Sequence, residues 1–182
     1  MKPQQVESGK RVGVIVVLTG DGKGKTTSAL GMAVRAVGHR QRVCIIQFVK
    51  ESHLAGEIEG LKWLAPQVEY HPAGGFRAIN GVPFHEHRDN AQSAIDLARE
   101  KLREGHFDIV ILDEINSALK LGLVDLPQAL ELLDIKPAET HLVLTGRDAH
   151  PDLCKRAHTV TEMREVKHAL RQGIEPQLGI DY

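Results

Sequence analysis

The sequence predicts an α/β domain of three layers, with a mostly parallel sheet between two sets of helices. Three observations carry that expectation. Val12, Val14, Ile15, Val16, Val17 and Leu18 form a near-continuous β-branched run that passes straight into a glycine-rich turn. A second apolar run, Ile109 to Leu112, ends in two carboxylates, Asp113 and Glu114. Between and after them, apolar runs alternate with stretches of helical period, the order from which parallel sheets with crossover helices are built.

The elements follow in chain order. Arg11 to Leu18 reads as a buried central strand. Leu30, Ala33, Val34 and Val37 recur at i, i+3, i+4 and i+7, one helical stripe, with Gly38 where a left-handed C-cap is wanted. Arg42 to Val49 is the next strand, and Ile58, Leu61 and Ala65 mark a short helix stopped at Pro66. Tyr70 to Phe84 shows no sustained period and reads as a long loop, of a length that is usually functional or mobile in a compact domain. Ala91, Ala94, Ile95, Ala98 and Leu102 form a helix ending at Gly105, followed by a strand from Phe107 to Leu112. Leu126, Leu130 and Leu133 give a helix with Pro127 in its first turn; His141–Leu144 and a weaker His158–Met163 complete the strands. Residues 1–182 read as one domain, with residues 1–10 a flexible N-terminal segment.

Composition narrows the function classes. A formal net charge of -1 gives no polyelectrolyte drive toward nucleic acid, and 4% aromatic content leaves few stacking platforms for bases. No apolar run is long enough to span a bilayer, and the polar stretch Met1–Arg11 lacks the apolar core of a signal peptide. The expected location is the cytoplasm. Cys44 and Cys154 stand alone, without a CxxC or Cys/His cluster, and read as thiols rather than metal ligands.

The turn Thr19-Gly20-Asp21-Gly22-Lys23-Gly24-Lys25-Thr26-Thr27 is the chemical centre of the sequence. Between a strand and a helix, such a turn points backbone N–H groups at the positive end of a helix dipole, where anions bind. Lys25 offers a mobile cation to terminal phosphate oxygens, and Thr26 a hydroxyl to Mg²⁺. This is a P-loop (Walker A) reading and defines the fold as P-loop NTPase-like, of RecA-like type. The strict pattern G-x-x-x-x-G-K-[ST] is not met: Thr19 stands where its first glycine belongs, and Gly20 is one residue closer. Brought beside the first strand, Asp113 or Glu114 would reach the same Mg²⁺ directly or through water.

The turn alone names no reaction. The ordered set Thr19–Thr27, Arg35–His39, Ile46–Lys50, Leu112–Ile115, Leu144–Arg147 with Ala149–Pro151, Thr161–Arg164 with Val166–His168, and Gly179–Tyr182 resembles the P-loop class of corrinoid adenosyltransferases almost end to end. The shortened turn is the form that family carries. The resemblance implies transfer of the 5′-deoxyadenosyl group of ATP to cob(I)alamin or a precursor corrinoid, with release of triphosphate. It implies ATP and a reduced corrinoid as substrates, Mg²⁺ or Mn²⁺ as cofactor, and an external reductant such as a flavoprotein. It also implies a homodimer. Residue by residue, Gly20, Asp21, Gly22, Lys23, Gly24, Lys25, Thr26 and Thr27 would hold triphosphate, with Thr26 and Glu114 on the metal and Asp113 supporting.

Arg35 falls on a helix that faces the nucleotide in the family, or is a solvated helix arginine. Arg147 ends a strand and would meet phosphate or corrin carboxamides, or else form a structural ion pair. The family's corrin-facing stretch commonly reads Gly-Phe-Thr-Trp; here it is Gly75-Phe76-Arg77-Ala78, retaining Phe76 as the corrinoid contact. His85-Glu86-His87 reads as solvated residues leading into a helix rather than as metal ligands. Two further classes stay open on this scaffold: an ATP hydrolase or switch, and an ATP- or corrinoid-binding regulator without turnover.

Overall fold

A computed structural model of the chain describes residues 11–49, 56–72 and 84–182. Strands β1 (Ile15–Thr19), β2 (Val43–Gln47), β3 (Val68–His71), β4 (Ile109–Asp113), β5 (His141–Thr145) and β6 (Thr159–Glu162) form one sheet in the order β3-β2-β4-β5-β1-β6. Every pairing is parallel. The helices are α1 (Lys25–Gly38), α2 (Gly56–Lys62), α3 (Phe84–Glu104), α4 (Ile115–Lys120), α5 (Leu126–Ile135) and α6 (Pro151–Arg156).

Side-chain alternation along the strands builds a core on each face of the sheet. Cys44, Ile46, Val110, Leu112, Leu142 and Leu144 point toward the layer of α3, α4, α5 and α6. Val43, Ile45, Ile109, Ile111 and Val143 point toward α1 and α2. Strands buried on both faces need continuous apolar runs, which is why the sequence pattern of β2, β4 and β5 is so clear. The three-layer expectation holds.

Several local expectations need correction. The first strand begins at Ile15, not Arg11, and Val12 is 62% exposed. Gly13 passes so close to the chain at Thr140 that a Cβ there would lie 2.1 Å from the Thr140 carbonyl oxygen. The entry to β1 is instead held by histidines: the N–H groups of Val14 and Ile15 donate to His141 Nδ1 (3.1 Å) and His158 Nδ1 (2.9 Å).

Helix α1 buries Ala29, Ala33 and Ala36, so its core face is rotated from the expected stripe, and Val34 is exposed. Small side chains let the helix backbone approach the sheet closely, and that packing outweighs the larger apolar surface of Val34. The left-handed residue after α1 is Arg40 (φ 60), not Gly38. Tyr70 and His71, assigned to a loop by the sequence, belong to edge strand β3, whose single well-buried residue is Val68. Helix α3 starts at Phe84, which places His85, Glu86 and His87 in its first turn. Finally, β4 is not beside β1: β5 lies between them.

Candidate active site at the carboxyl edge of the sheet

Strands β1, β2, β4, β5 and β6 end in Thr19, Gln47, Asp113, Thr145 and Glu162, so one edge of a parallel sheet gathers polar side chains. The carboxyl edge is where α/β sheets bind ligands. The glycine-rich turn leaves β1 here and enters α1 at Gly24, whose φ of 108° lies in the left-handed region. Gly24 has no side chain to cap the helix, so the first-turn N–H groups of α1 are available to an anion.

The other two glycines answer mainly to the chain itself. A Cβ at Gly20 would lie 2.4 Å from the Met163 carbonyl oxygen, and one at Gly22 would lie 2.8 Å from it. The Gly22 N–H donates to that oxygen at 2.7 Å, and the Met163 N–H donates to Thr19 at 2.7 Å. The Gly22 donor is therefore engaged by the segment after β6. Lys23 is ion-paired with Asp181 near the carboxyl terminus, while Asp21 and Thr27 are exposed.

Lys25 folds back over the turn. Its Nζ donates to the carbonyls of Gly20 (2.7 Å) and Gly22 (2.8 Å), leaving one of its three N–H groups without a partner among the described residues. Burial lowers its pKa, against the opposing pull of Glu114; Arg147 lowers it further and Asp21 raises it. A buried ammonium so placed gains a counterion when phosphate arrives.

Thr26 and Asp113 meet although their elements are not sheet neighbours. Thr26 Oγ1 donates to Asp113 Oδ1 at 2.9 Å, and Thr145 Oγ1, from the intervening strand, donates to the same oxygen at 2.7 Å. Thr145 is wholly buried and its hydroxyl also accepts the Glu114 N–H at 2.9 Å. Glu114 has a left-handed backbone (φ 61°), a conformation that costs a non-glycine residue about 1–3 kcal/mol and recurs at functional sites. Its carboxylate accepts a hydrogen bond from Ser117 on α4, and Ser117 Oγ in turn accepts the Arg147 N–H at 3.2 Å.

Arg147 lines a cleft of about 420 Å³ with Asp21, Glu162, Arg164, Glu165 and Arg171. Arg171 is paired with Glu165 at 2.7 Å. Arg35 is exposed in the last turn of α1, about 15 Å along the helix axis from Lys25. Phe76 lies outside the described residues, as do Gly75, Arg77 and Ala78.

Spacing along the sequence gives no role to Thr145, Ser117, Gln47 or Arg164. Ser117 is found only through the short helix α4, whereas Thr145 lies in the family-matching segment Leu144–Arg147 and is placed beside Asp113 by the order of the strands. Arg164 and Gln47 stand in segments that match the family, but only the fold brings them to this edge.

No group of three or more His, Cys, Asp or Glu side chains that could hold a metal by itself occurs among the described residues. Thr26 and Asp113 bring oxygens side by side at this edge, the kind of donor that a hard cation such as Mg²⁺ takes when phosphate oxygens and water complete its shell.

A parallel sheet with a glycine turn feeding a helix, a lysine over that turn and a Thr–Asp pair beside it define a P-loop nucleotide-binding domain. Two solved structures share this fold: a KaiC-like protein of Pyrococcus horikoshii (TM-score 0.55, 18% identity, covering 87% of this chain and 76% of that one) and the flagellar accessory protein FlaH of Methanocaldococcus jannaschii (TM-score 0.58, 12% identity, covering 86% and 73%). The model of the ATP:corrinoid adenosyltransferase BtuR/CobO/CobP family matches residues 11–182, and the chain belongs to that family. A corrinoid adenosyltransferase of Pseudomonas aeruginosa is 38% identical over 172 residues, 93% of this chain and 84% of that protein. One from Escherichia coli K12 is 35% identical over 177 residues, 93% of this chain and 86% of that protein.

Proposed function

We propose that this protein transfers the 5′-deoxyadenosyl group of ATP to the cobalt of a reduced corrinoid and releases tripolyphosphate. The observation that carries the reading is the Lys25-covered turn beside the Thr26–Asp113 pair, in a chain of the corrinoid adenosyltransferase family. The Co(I) electron pair attacks the ribose C5′, and the C5′–O5′ bond breaks with its electrons passing to the triphosphate. Cobalt becomes formally Co(III) in the new cobalt–carbon bond. No proton is transferred, so no general base is required.

The work left to the protein is to hold the triphosphate and to stabilise the charge that grows on it. Lys25 and the first N–H groups of α1 are preorganised donors for that purpose. Asp113 accepts a hydrogen bond from the Thr26 hydroxyl, which leaves the oxygen lone pairs of Thr26 for a cation. Thr26 and Glu114 would hold Mg²⁺ or Mn²⁺, with Asp113 supporting, and the ion would neutralise triphosphate charge. Asp21, Lys23 and Thr27 would add contacts to the triphosphate from the turn, and Arg147 would meet phosphate oxygens or corrin carboxamides from the cleft that it lines with Asp21. Phe76 is the proposed corrinoid contact, and Arg35 a more distant nucleotide contact.

No helix among the described residues is long and apolar enough to cross a membrane. The reading places the enzyme in the cytoplasm, supplied with Co(I) by an external reductant such as a flavoprotein, and working as a homodimer. Val166, Leu170, Leu178 and Ile180 are exposed after β6 and offer apolar surface to a second copy. Light scattering at twice the 20.1 kDa chain mass is expected; a monomer at working concentration would contradict the dimer.

Product analysis tests the reaction class. With ATP and a reduced corrinoid, tripolyphosphate should accumulate in step with adenosylated product. Formation of ADP and orthophosphate instead would mean that water attacks the γ-phosphate, and the protein would be a hydrolase or switch.

A further inference from the structure

Among the described residues Asp113 is the one carboxylate that is buried, and a buried anion needs donors on both oxygens. Thr26 and Thr145 supply Oδ1. Oδ2 is served by Gln47 Nε2 at 3.2 Å. Gln47 is itself buried, and a primary amide can present either its NH₂ or its carbonyl to a neighbour. What its far end meets decides which: the Tyr70 hydroxyl lies 2.9 Å from Gln47 Oε1 and donates to it.

The sheet explains why these three side chains meet. Gln47 and Asp113 are direct partners in the β2–β4 register. Tyr70 is the partner of Ile45, two residues before Gln47, and therefore lies diagonal to Gln47 on the same face, within reach of a long aromatic side chain. Burial raises the Tyr70 pKa, with Asp113 and Glu57 adding to the effect, so the phenol stays a donor well into the alkaline range.

We propose that Tyr70 and Gln47 are positioning residues for the metal–nucleotide site: the Tyr70 hydroxyl locks the Gln47 amide, and the amide holds Asp113 in the orientation that Thr26 and a divalent cation require. Without the Tyr70 proton, the amide is free to turn its carbonyl toward the carboxylate and repel it. The inference rests on the nucleotide-and-metal part of the proposed function and extends it to two residues on neighbouring strands, neither of which reaches the reacting atoms.

A double-mutant cycle read by Mn²⁺ binding tests this without turnover. Free Mn²⁺ is followed by electron paramagnetic resonance, in the presence of ATP, for the wild type, Tyr70→Phe, Gln47→Leu and the double variant. Loss of a residue that orients a metal-site carboxylate weakens affinity by about tenfold or more. Each single variant is therefore expected to raise the Mn²⁺ Kd by about tenfold, and the double variant no further than Gln47→Leu alone, because one chain is being cut twice.

Unchanged affinity in Tyr70→Phe, or independent factors that multiply in the double variant, would overturn the relay. Far-UV circular dichroism and thermal melting establish that each variant folds; if Gln47→Leu does not, Gln47→Met replaces it in the cycle. A wild type that binds Mn²⁺ and ATP and obeys the cycle, yet makes no adenosylated corrinoid, would sink the reaction and leave the relay standing.

Discussion

Lys25→Ala is expected to lower adenosyl transfer by about 10²–10³-fold, the usual cost of deleting a preorganised donor aimed at developing charge. The loss should fall mainly on kcat, because the negative charge on the triphosphate grows as the C5′–O5′ bond breaks. The fold should survive. Lys25 Nζ donates hydrogen bonds to the carbonyls of Gly20 and Gly22, and its ammonium is held where burial disfavours charge. Removing it deletes a desolvated cation together with its two hydrogen bonds, opposing effects on stability. Steady-state kinetics with saturating corrinoid, alongside a thermal melt, make the comparison. Wild-type kcat in a folded Lys25→Ala protein would contradict the role given to this side chain.

Asp113→Asn should lose about 10- to 100-fold in metal-dependent activity while melting at or above the wild-type temperature. The two halves of that prediction have one cause. Asp113 is 3% exposed, and its charge is costly to bury even with three donors around it. Asparagine keeps the shape and can still accept from Thr26 and Thr145. It gives up the negative charge that a divalent cation would feel, and its NH₂ group faces the Gln47 amide, which must turn over to accommodate it. A site residue that lowers stability in exchange for chemistry is a familiar pattern. The measurement is activity against Mg²⁺ concentration together with calorimetry. A variant with the wild-type Mg²⁺ dependence would remove Asp113 from the metal site, and a large drop in melting temperature would recast it as a structural group.

Much of this was legible in the sequence because the relevant physics is local. The turn from Thr19 to Thr27 encodes its own conformation, and strands buried on both faces, such as Val43–Gln47 and Ile109–Asp113, need unbroken apolar runs. What was missed depends on neighbours. Edge strand Val68–His71 carries one deeply buried apolar side chain and no run to announce it. The core face of α1 is set by how closely Ala29, Ala33 and Ala36 let it approach the sheet, not by where its largest apolar residues fall.

The approach of Thr26 to Asp113 was expected through neighbouring strands and is made instead across β5, by way of Thr145. Gln47, Tyr70 and Ser117 acquire roles only from strand register and from the left-handed turn at Glu114. The glycines at 20 and 22 looked like concessions to a ligand, and the chain at Met163 turned out to need the space first.

The most direct test of the central claim is an anaerobic assay with cob(I)alamin held under strong reductant. On addition of ATP and Mg²⁺ the Co(I) spectrum should decay with enzyme-dependent kinetics and be replaced by that of a light-sensitive alkylcorrinoid. Persistence of the Co(I) spectrum with cobalamin and with precursor corrinoids alike, in a protein shown to bind ATP, would contradict the account.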